Sequence, residues 1–260
     1  MTVRFVLHMD YDSDFEDKFL ATEYGTIHYK RHKGAAASSL VLLHGMASST
    51  LTWKRLVGEL PGHLDICMID LLGHGKSDAP DIDYTVHIQT GIVKEVLARE
   101  EISTPFIMGH SYGGWVSAIF AIENPVNGLV LEDSGGLKAF YDEIKGDKDR
   151  EKYKKMMLAK AVELGANRHV MERILDDQFR EGELDGKSLG RIAAPSLVIW
   201  GREDSVINVK YATVFNQIMR SSKLEIIDNA RHTPHYTNAQ DVSRILLEFI
   251  NGHPSDKQCI

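Results

Sequence analysis

The chain has 260 residues, enough for one α/β domain with an insertion. Its 43% hydrophobic and 26% charged content is that of an ordinary globular protein. Thirty-seven acidic residues against 30 basic ones give a net charge of −7, and no basic cluster is interleaved with aromatics, which argues against a nucleic-acid binder.

No apolar run approaches the roughly 18 residues of a membrane span, and the stretch before Asp10 is too short for a signal peptide. Cys67 lies in an apolar run and Cys259 next to the last residue, on what reads as a loose tail. They form no disulfide framework, so a reduced, cytoplasmic protein is expected, as monomer or homodimer. The acidic balance points to neutral or cationic substrates.

In chain order, residues 1–18 read as an N-terminal arm, with Val3 to Met9 as a candidate strand. Phe19 to Glu23 and Thr26 to Arg31 predict a hairpin turning at Tyr24-Gly25. The rhythm then changes to continuous apolar runs, as expected of strands buried on both faces. These are Leu40 to Leu43, Ile66 to Ile69, Phe106 to Met108 and Gly128 to Leu131. Helical spacing separates them at Trp53 to Leu60, Thr85 to Glu100 and Trp115 to Ile122. The alternation predicts a mostly parallel, doubly wound α/β sheet.

Residues 137–190 break this pattern. Phe140 to Ile144, Arg150 to Leu164 and Arg168 to Phe179 read as amphipathic helices, with Gly165 as a C-cap and Asn167 as an N-cap. Pro195 to Trp200 resumes the strand rhythm, followed by a helix over Asn208 to Met219, a last strand at Leu224 to Ile227 and a closing helix at Asp241 to Ile250. The core is therefore expected in residues 1–136 and 191–260, with 137–190 a helical insertion placed as a lid.

Chemistry concentrates at Gly109-His110-Ser111-Tyr112-Gly113, between the Phe106 strand and a helix. This is the G-x-S-x-G elbow in its strand–turn–helix setting, with Gly114 a further small residue. A serine hydroxyl is a weak nucleophile until an imidazole takes its proton, and that imidazole needs an orienting carboxylate. Both should come from loops after later strands. Gly201-Arg202-Glu203-Asp204-Ser205 and Ala230-Arg231-His232 are such loops, in the order serine, acid, histidine. Glu203 is an alternative acid, and His235 competes with His232.

DLLGHGKS, Asp70 to Ser77, is not a phosphate loop, because that pattern requires glycine where Asp70 stands. No Cys/His/carboxylate cluster has metal-ligand spacing and no dinucleotide glycine pattern is present, so neither metal nor cofactor is expected.

Taken together, His44-Gly45, DLLGHGKS, GHSYGG from Gly109 to Gly114, GREDSV from Gly201 to Val206 and the Ala-Arg-His of Ala230 to His232 resemble the α/β-hydrolase superfamily, over about residues 20–250. The resemblance implies Ser111 as nucleophile, His232 as general base and acid, and Asp204 as orienting carboxylate. It makes Asp133, at the end of the preceding strand, an alternative acid. It places the oxyanion donors on the backbone N–H groups of Met46 and Tyr112. His44, His74 and His110 are read as structural.

Related dehalogenases and epoxide hydrolases carry aspartate at the elbow. Serine points instead to a carboxylesterase acting on small to medium acyl esters. A lactonase of the acyl-homoserine lactone type and a C–C bond hydrolase are alternative enzymes, and a ligand-binding receptor with little turnover is the alternative of another class. Phe140, Met156, Met157, Leu158, Met171, Leu175 and Phe179 of the insertion are candidates for the apolar pocket wall.

Overall fold

The continuous apolar runs become strands whose side chains alternate between two cores. In the computed structural model, which describes residues 8–179 and 184–253, eight strands form one sheet in the order β1-β2-β4-β3-β5-β6-β7-β8. β1 (Glu16–Thr22) and β2 (Gly25–His32) are the expected antiparallel hairpin. β2 also pairs antiparallel with β4 (Asp65–Ile69). Every other pairing is parallel, among β3 (Ser39–Leu43), β4, β5 (Phe106–His110), β6 (Gly128–Glu132), β7 (Ser196–Gly201) and β8 (Ser222–Ile227).

The period of two divides each strand. Val41, Leu43, Ile107, Leu129 and Leu131 face one core, under α2 (Val86–Arg99) and α3 (Tyr112–Glu123). Leu40, Leu42, Met108 and Val130 face the other, under the short α1 (Lys54–Val57) and the closing helix over Ala239–Gly252. The helix expected from Trp53 to Leu60 shrinks to a 3-10 turn (Thr50–Trp53) followed by α1.

The N-terminal arm is anchored. Met9, Tyr11 and Phe15 are buried in the second core, and the Tyr11 hydroxyl lies 2.9 Å from Thr50 Oγ1. Residues 3–7 of the candidate N-terminal strand and Cys259 lie outside the described residues.

Between β6 and β7 the chain forms α4 (Lys138–Tyr141), α5 (Gly146–Glu163), α6 (Arg168–Asp177) and α7 (Gly186–Leu189), with no strand among the described residues of this segment. Asn167 caps α6, its side chain accepting from the His169 and Val170 N–H groups. α6 is strongly two-faced, burying Val170, Met171, Ile174 and Leu175. α5 is less so, since Ala161 is its one fully buried residue. Charges spread all round GDKDREKYKK leave it a narrow apolar stripe. The remaining helices are α8 (Lys210–Ile218), α9 (Pro234–Thr237) and α10 (Ala239–Gly252).

Candidate active site

The elbow between β5 and α3 is built by close backbone approach. A Cβ on Gly109 would fall 2.1 Å from the Gly113 carbonyl oxygen, and one on Gly113 would fall 2.3 Å from that of Leu43. Only glycine fits at either place. Ser111 is thereby forced to φ 52°, ψ −114°, a conformation that costs energy in a non-glycine residue and persists only when its surroundings dictate it. They do so here with hydrogen bonds. The Ser111 carbonyl accepts from the N–H groups of Gly114 (3.0 Å), Trp115 (3.2 Å) and Gly135 (2.9 Å), and its own N–H donates to the Glu132 carbonyl at 3.0 Å.

His232, in the loop after β8, brings Nε2 to 3.1 Å from Ser111 Oγ. Its Nδ1 lies 2.8 Å from Asp204 Oδ2. The bond to a carboxylate assigns the proton to Nδ1, which turns the Nε2 lone pair toward the serine hydroxyl. The loop after β7 orients Asp204, whose Oδ1 accepts from the N–H groups of Val206 (2.7 Å) and Ile207 (3.0 Å). Burial works to raise this carboxyl, but the His232 hydrogen bond and charge, with the neighbouring Asp133 carboxyl and the Val206 N–H, hold it below the ordinary carboxylate range. The imidazole is fixed as well. His110 Nε2–H donates to the His232 carbonyl at 2.6 Å.

Of the alternative acids, Glu203 is exposed and Asp133 is fully buried. Asp133 Oδ1 accepts from the Gly201 N–H at 3.1 Å. Burial first, and then the charges of Glu132 and Asp204, push its carboxyl well above the usual range.

His235 is engaged elsewhere. Its N–H donates to Glu132 Oε1 at 2.8 Å, its Nδ1 bonds the other oxygen of that carboxylate, and its Nε2 lies 2.7 Å from Thr52 Oγ1. The Glu132–His235 pair is wholly buried. In the sequence Glu132 directly follows the apolar run Gly128 to Leu131, with no sign of a partner; β6 extends to include it, and only the fold sets it against His235.

His44, His74 and Asp70 serve the loops around the site. The Leu71 N–H donates to His44 Nε2 (3.0 Å), while His44 Nδ1–H donates to the Gly45 carbonyl (2.8 Å). His74 Nδ1–H donates to the Leu72 carbonyl at 3.1 Å, and burial drops its pKa to about 3. Asp70 accepts from the Thr50 N–H (2.6 Å) and the Lys76 N–H (2.9 Å), and lies 2.7 Å from His28 Nδ1.

A cavity of about 1330 Å³ opens over Ser111 and His232. Met46 lines it in the loop after β3, next to Gly45, where a Cβ would stand 3.2 Å from Ser111 Cβ. Tyr112 supplies the first N–H of α3, directly after Ser111.

Of the insertion residues expected in the pocket wall, only Met157 lines this cavity, joined there by Ala161, Leu164 and Ala166. Met171 and Leu175 are buried on the core face of α6, and Met156 turns outward, 60% exposed. Phe140 and Phe179 pack into an aromatic cluster with Tyr141, Tyr153 and Tyr211. Leu158 packs on the first core. Helical phase is the reason. Met157, Ala161 and Leu164 share one edge of α5, and Met156 falls a third of a turn away.

Two triplets, the first fully buried and the second with His232 partly exposed, bring metal-ligating atoms within 4.8 Å of one another, His110–Glu132–His235 and Asp133–Asp204–His232. In each, the facing histidine Nδ1 already bonds a carboxylate, so a cation would have to displace that bond. Among the described residues no helix is long and apolar enough to cross a membrane.

A parallel sheet with an antiparallel edge, a strand–serine–helix elbow and the serine–histidine–aspartate contact define an α/β hydrolase. The family model described as "Alpha/beta hydrolase family" matches residues 40–245, and the chain belongs to that family. It is 27% identical to Lipase 1 of Psychrobacter immobilis, over 85% of this chain and 80% of the relative. It is 24% identical to monoacylglycerol lipase abhd6-B of Xenopus laevis, over 85% and 78%. The solved structure of a thermophilic esterase from Thermogutta terrifontis superposes with a TM-score of 0.78 at 15% identity, covering 92% of this chain and all of that one.

Proposed function

We propose that the protein is a serine hydrolase that cleaves carboxylic esters of small to medium acyl chains through an acyl-enzyme on Ser111. The observation that carries this reading is His232, which reaches Ser111 Oγ at 3.1 Å and Asp204 at 2.8 Å on the floor of a roomy cavity. Ser111 Oγ attacks the ester carbonyl as its proton passes to His232 Nε2. The backbone N–H groups of Met46 and Tyr112 hold the oxyanion, helped by the N-terminal dipole of α3. The C–O bond breaks as His232 returns the proton to the departing alcohol. Water then enters, gives a proton to His232 and attacks the acyl carbon, and the acyl–Oγ bond breaks as His232 returns that proton to Ser111 Oγ, releasing the acid. Asp204 stabilises the imidazolium in both halves.

The lipase names of the two relatives favour ester cleavage. Residues 137–190 act as a lid, with α5 as the part that touches substrate.

Hydrolysis of p-nitrophenyl butyrate by wild type and Ser111→Ala tests the reading, together with mass spectrometry after fluorophosphonate treatment. The expected result is a loss of at least a thousandfold in the variant and an adduct on the peptide containing Ser111. Equal turnover by both proteins would overturn it.

A further inference from the structure

The cavity wall is charged in one sense. Lys54, Arg55, Lys160 and Arg231 line it, and among the described residues no aspartate or glutamate does. The chain as a whole has 37 acidic and 30 basic residues, so composition alone predicts the opposite sign. Two of the four cations are engaged. Lys54 Nζ bonds Asp12 at 2.6 Å, and Arg55 lies 4.1 Å over the Tyr236 ring while donating to the Tyr236 carbonyl at 3.3 Å. Lys160 and Arg231 pair with no described carboxylate.

Both stand beside elements the proposed chemistry uses. Lys160 is on α5 one residue before Ala161, on the stretch that gives Met157 and Leu164 to the cavity, and Arg231 directly precedes His232. The N-terminus of α3 beside Ser111 adds partial positive charge. A concave wall of one sign focuses its field and attracts the opposite charge. Neutral and cationic esters gain nothing from it.

We propose that the substrate is an ester bearing an anionic group, phosphate or carboxylate, which Lys160 and Arg231 receive, with its apolar part against Met46, Met157 and Leu164. This rests on the ester-hydrolase reading, names its substrate class, and reverses the expectation drawn from net charge.

The test compares matched soluble esters. The mono-p-nitrophenyl ester of glutarate is set against p-nitrophenyl valerate, and 1-butyrylglycerol 3-phosphate against 1-butyrylglycerol. The first pair puts a carboxylate on the acyl side, the second a phosphate on the alcohol side. The readout is the anionic-to-neutral ratio of kcat/KM within each protein, which cancels any general loss of activity. Wild type should favour at least one anionic ester by tenfold or more. Lys160→Gln with Arg231→Gln should cut that ratio at least fivefold, and about 0.5 M salt should cut it as well. A ratio near one in wild type, or one untouched by the double variant, would overturn the proposal.

Calorimetric titration of Ser111→Ala with octyl phosphate and with octanol reads the anion preference without turnover. Tighter octyl phosphate binding that is lost in the Lys160→Gln, Arg231→Gln background supports the anion site even if no ester is cleaved, an outcome that would sink the hydrolase reading alone. Equal binding of the two, beside working ester cleavage, would sink the anion site alone.

Discussion

Asp133 and Asp204 lie together behind His232, with ligating atoms of all three residues within 4.8 Å of one another. Two buried aspartates this close do not both ionise. His232 and the Val206 and Ile207 N–H groups favour charge on Asp204, whereas Asp133 has only the Gly201 N–H and repulsion from Glu132. Asn is close in shape to a neutral aspartic acid and keeps its donor. Asp133→Asn is therefore expected to retain at least a tenth of wild-type turnover, while Asp204→Asn loses on the order of 10³–10⁴-fold in kcat through the wrong imidazole tautomer. Steady-state kinetics on one activated ester measures both, and equal large losses would refute the division of roles.

The same pair predicts a slope in stability. Asp133 has a raised carboxyl in the folded protein, so folding takes up a proton. The stability this group contributes is present below its unfolded value and falls as pH rises above it. Asp133→Asn removes that slope. Urea midpoints for wild type and variant should converge near pH 4 and separate toward pH 8, with the variant the more resistant.

Asp70 acts in the opposite direction. Burial tends to raise its carboxyl, but the bond to His28 and those from the Lys76 and Thr50 N–H groups help bring it to about 2 from an ordinary 3.8. At roughly 1.4 kcal/mol per unit this is about 2 kcal/mol of stability, present above pH 4 and lost as pH falls from about 4 to 2. Asp70→Asn should lower stability at pH 7 by a similar amount and flatten the acid limb of the profile. Chemical denaturation from pH 7 to pH 2 checks this; an unchanged acid limb would show that the loop does not depend on the charge.

His235 and Glu132 are both fully buried, and removing one partner strands the other. His235→Ala is expected to cost about 3 kcal/mol, roughly 6–12 °C in Tm. His235 carries no step of the proposed chemistry, so whatever folded protein remains at 10 °C should still react with a fluorophosphonate at Ser111. Complete loss of labelling in folded protein would give His235 a larger part.

Met157 and Met171 separate wall from core. Met157 is half-buried on the cavity edge of α5, and Met171 is fully buried on α6. Met171→Ala should cost about 2–5 kcal/mol with little change in acyl preference. Met157→Ala should cost under about 1 kcal/mol and shift the kcat/KM ratio between octanoate and butyrate esters severalfold. Thermal melts and a chain-length series distinguish them.

The alternating fold was legible because strands covered on both faces must be apolar throughout. Leu40 to Leu43 and Phe106 to Met108 announce this without any knowledge of their partners. The elbow was legible because Gly109 and Gly113 are demanded by backbone contacts encoded within a few residues. Ser111, Asp204 and His232 could be picked out because each follows a strand that the apolar pattern reveals, and chain order did the rest.

Tertiary structure decided what depends on groups far apart in sequence. Glu132 and His235, 103 residues apart, are unremarkable until packing buries them together. The raised carboxyl of Asp133 arises from loss of solvent and then from the charges of Glu132 and of Asp204 across the β6–β7 boundary, and a local pattern carries neither the burial nor the Asp204 contact. The phase of α5 selected Met157 and rejected Met156, a difference of one residue that periodicity over a charged helix cannot resolve. The cavity's sign, opposite to that of the whole chain, was set by which four cations α1, α5 and the loop before His232 place along its wall. Composition sums charge over all 260 residues, whereas a ligand meets only the few at the wall.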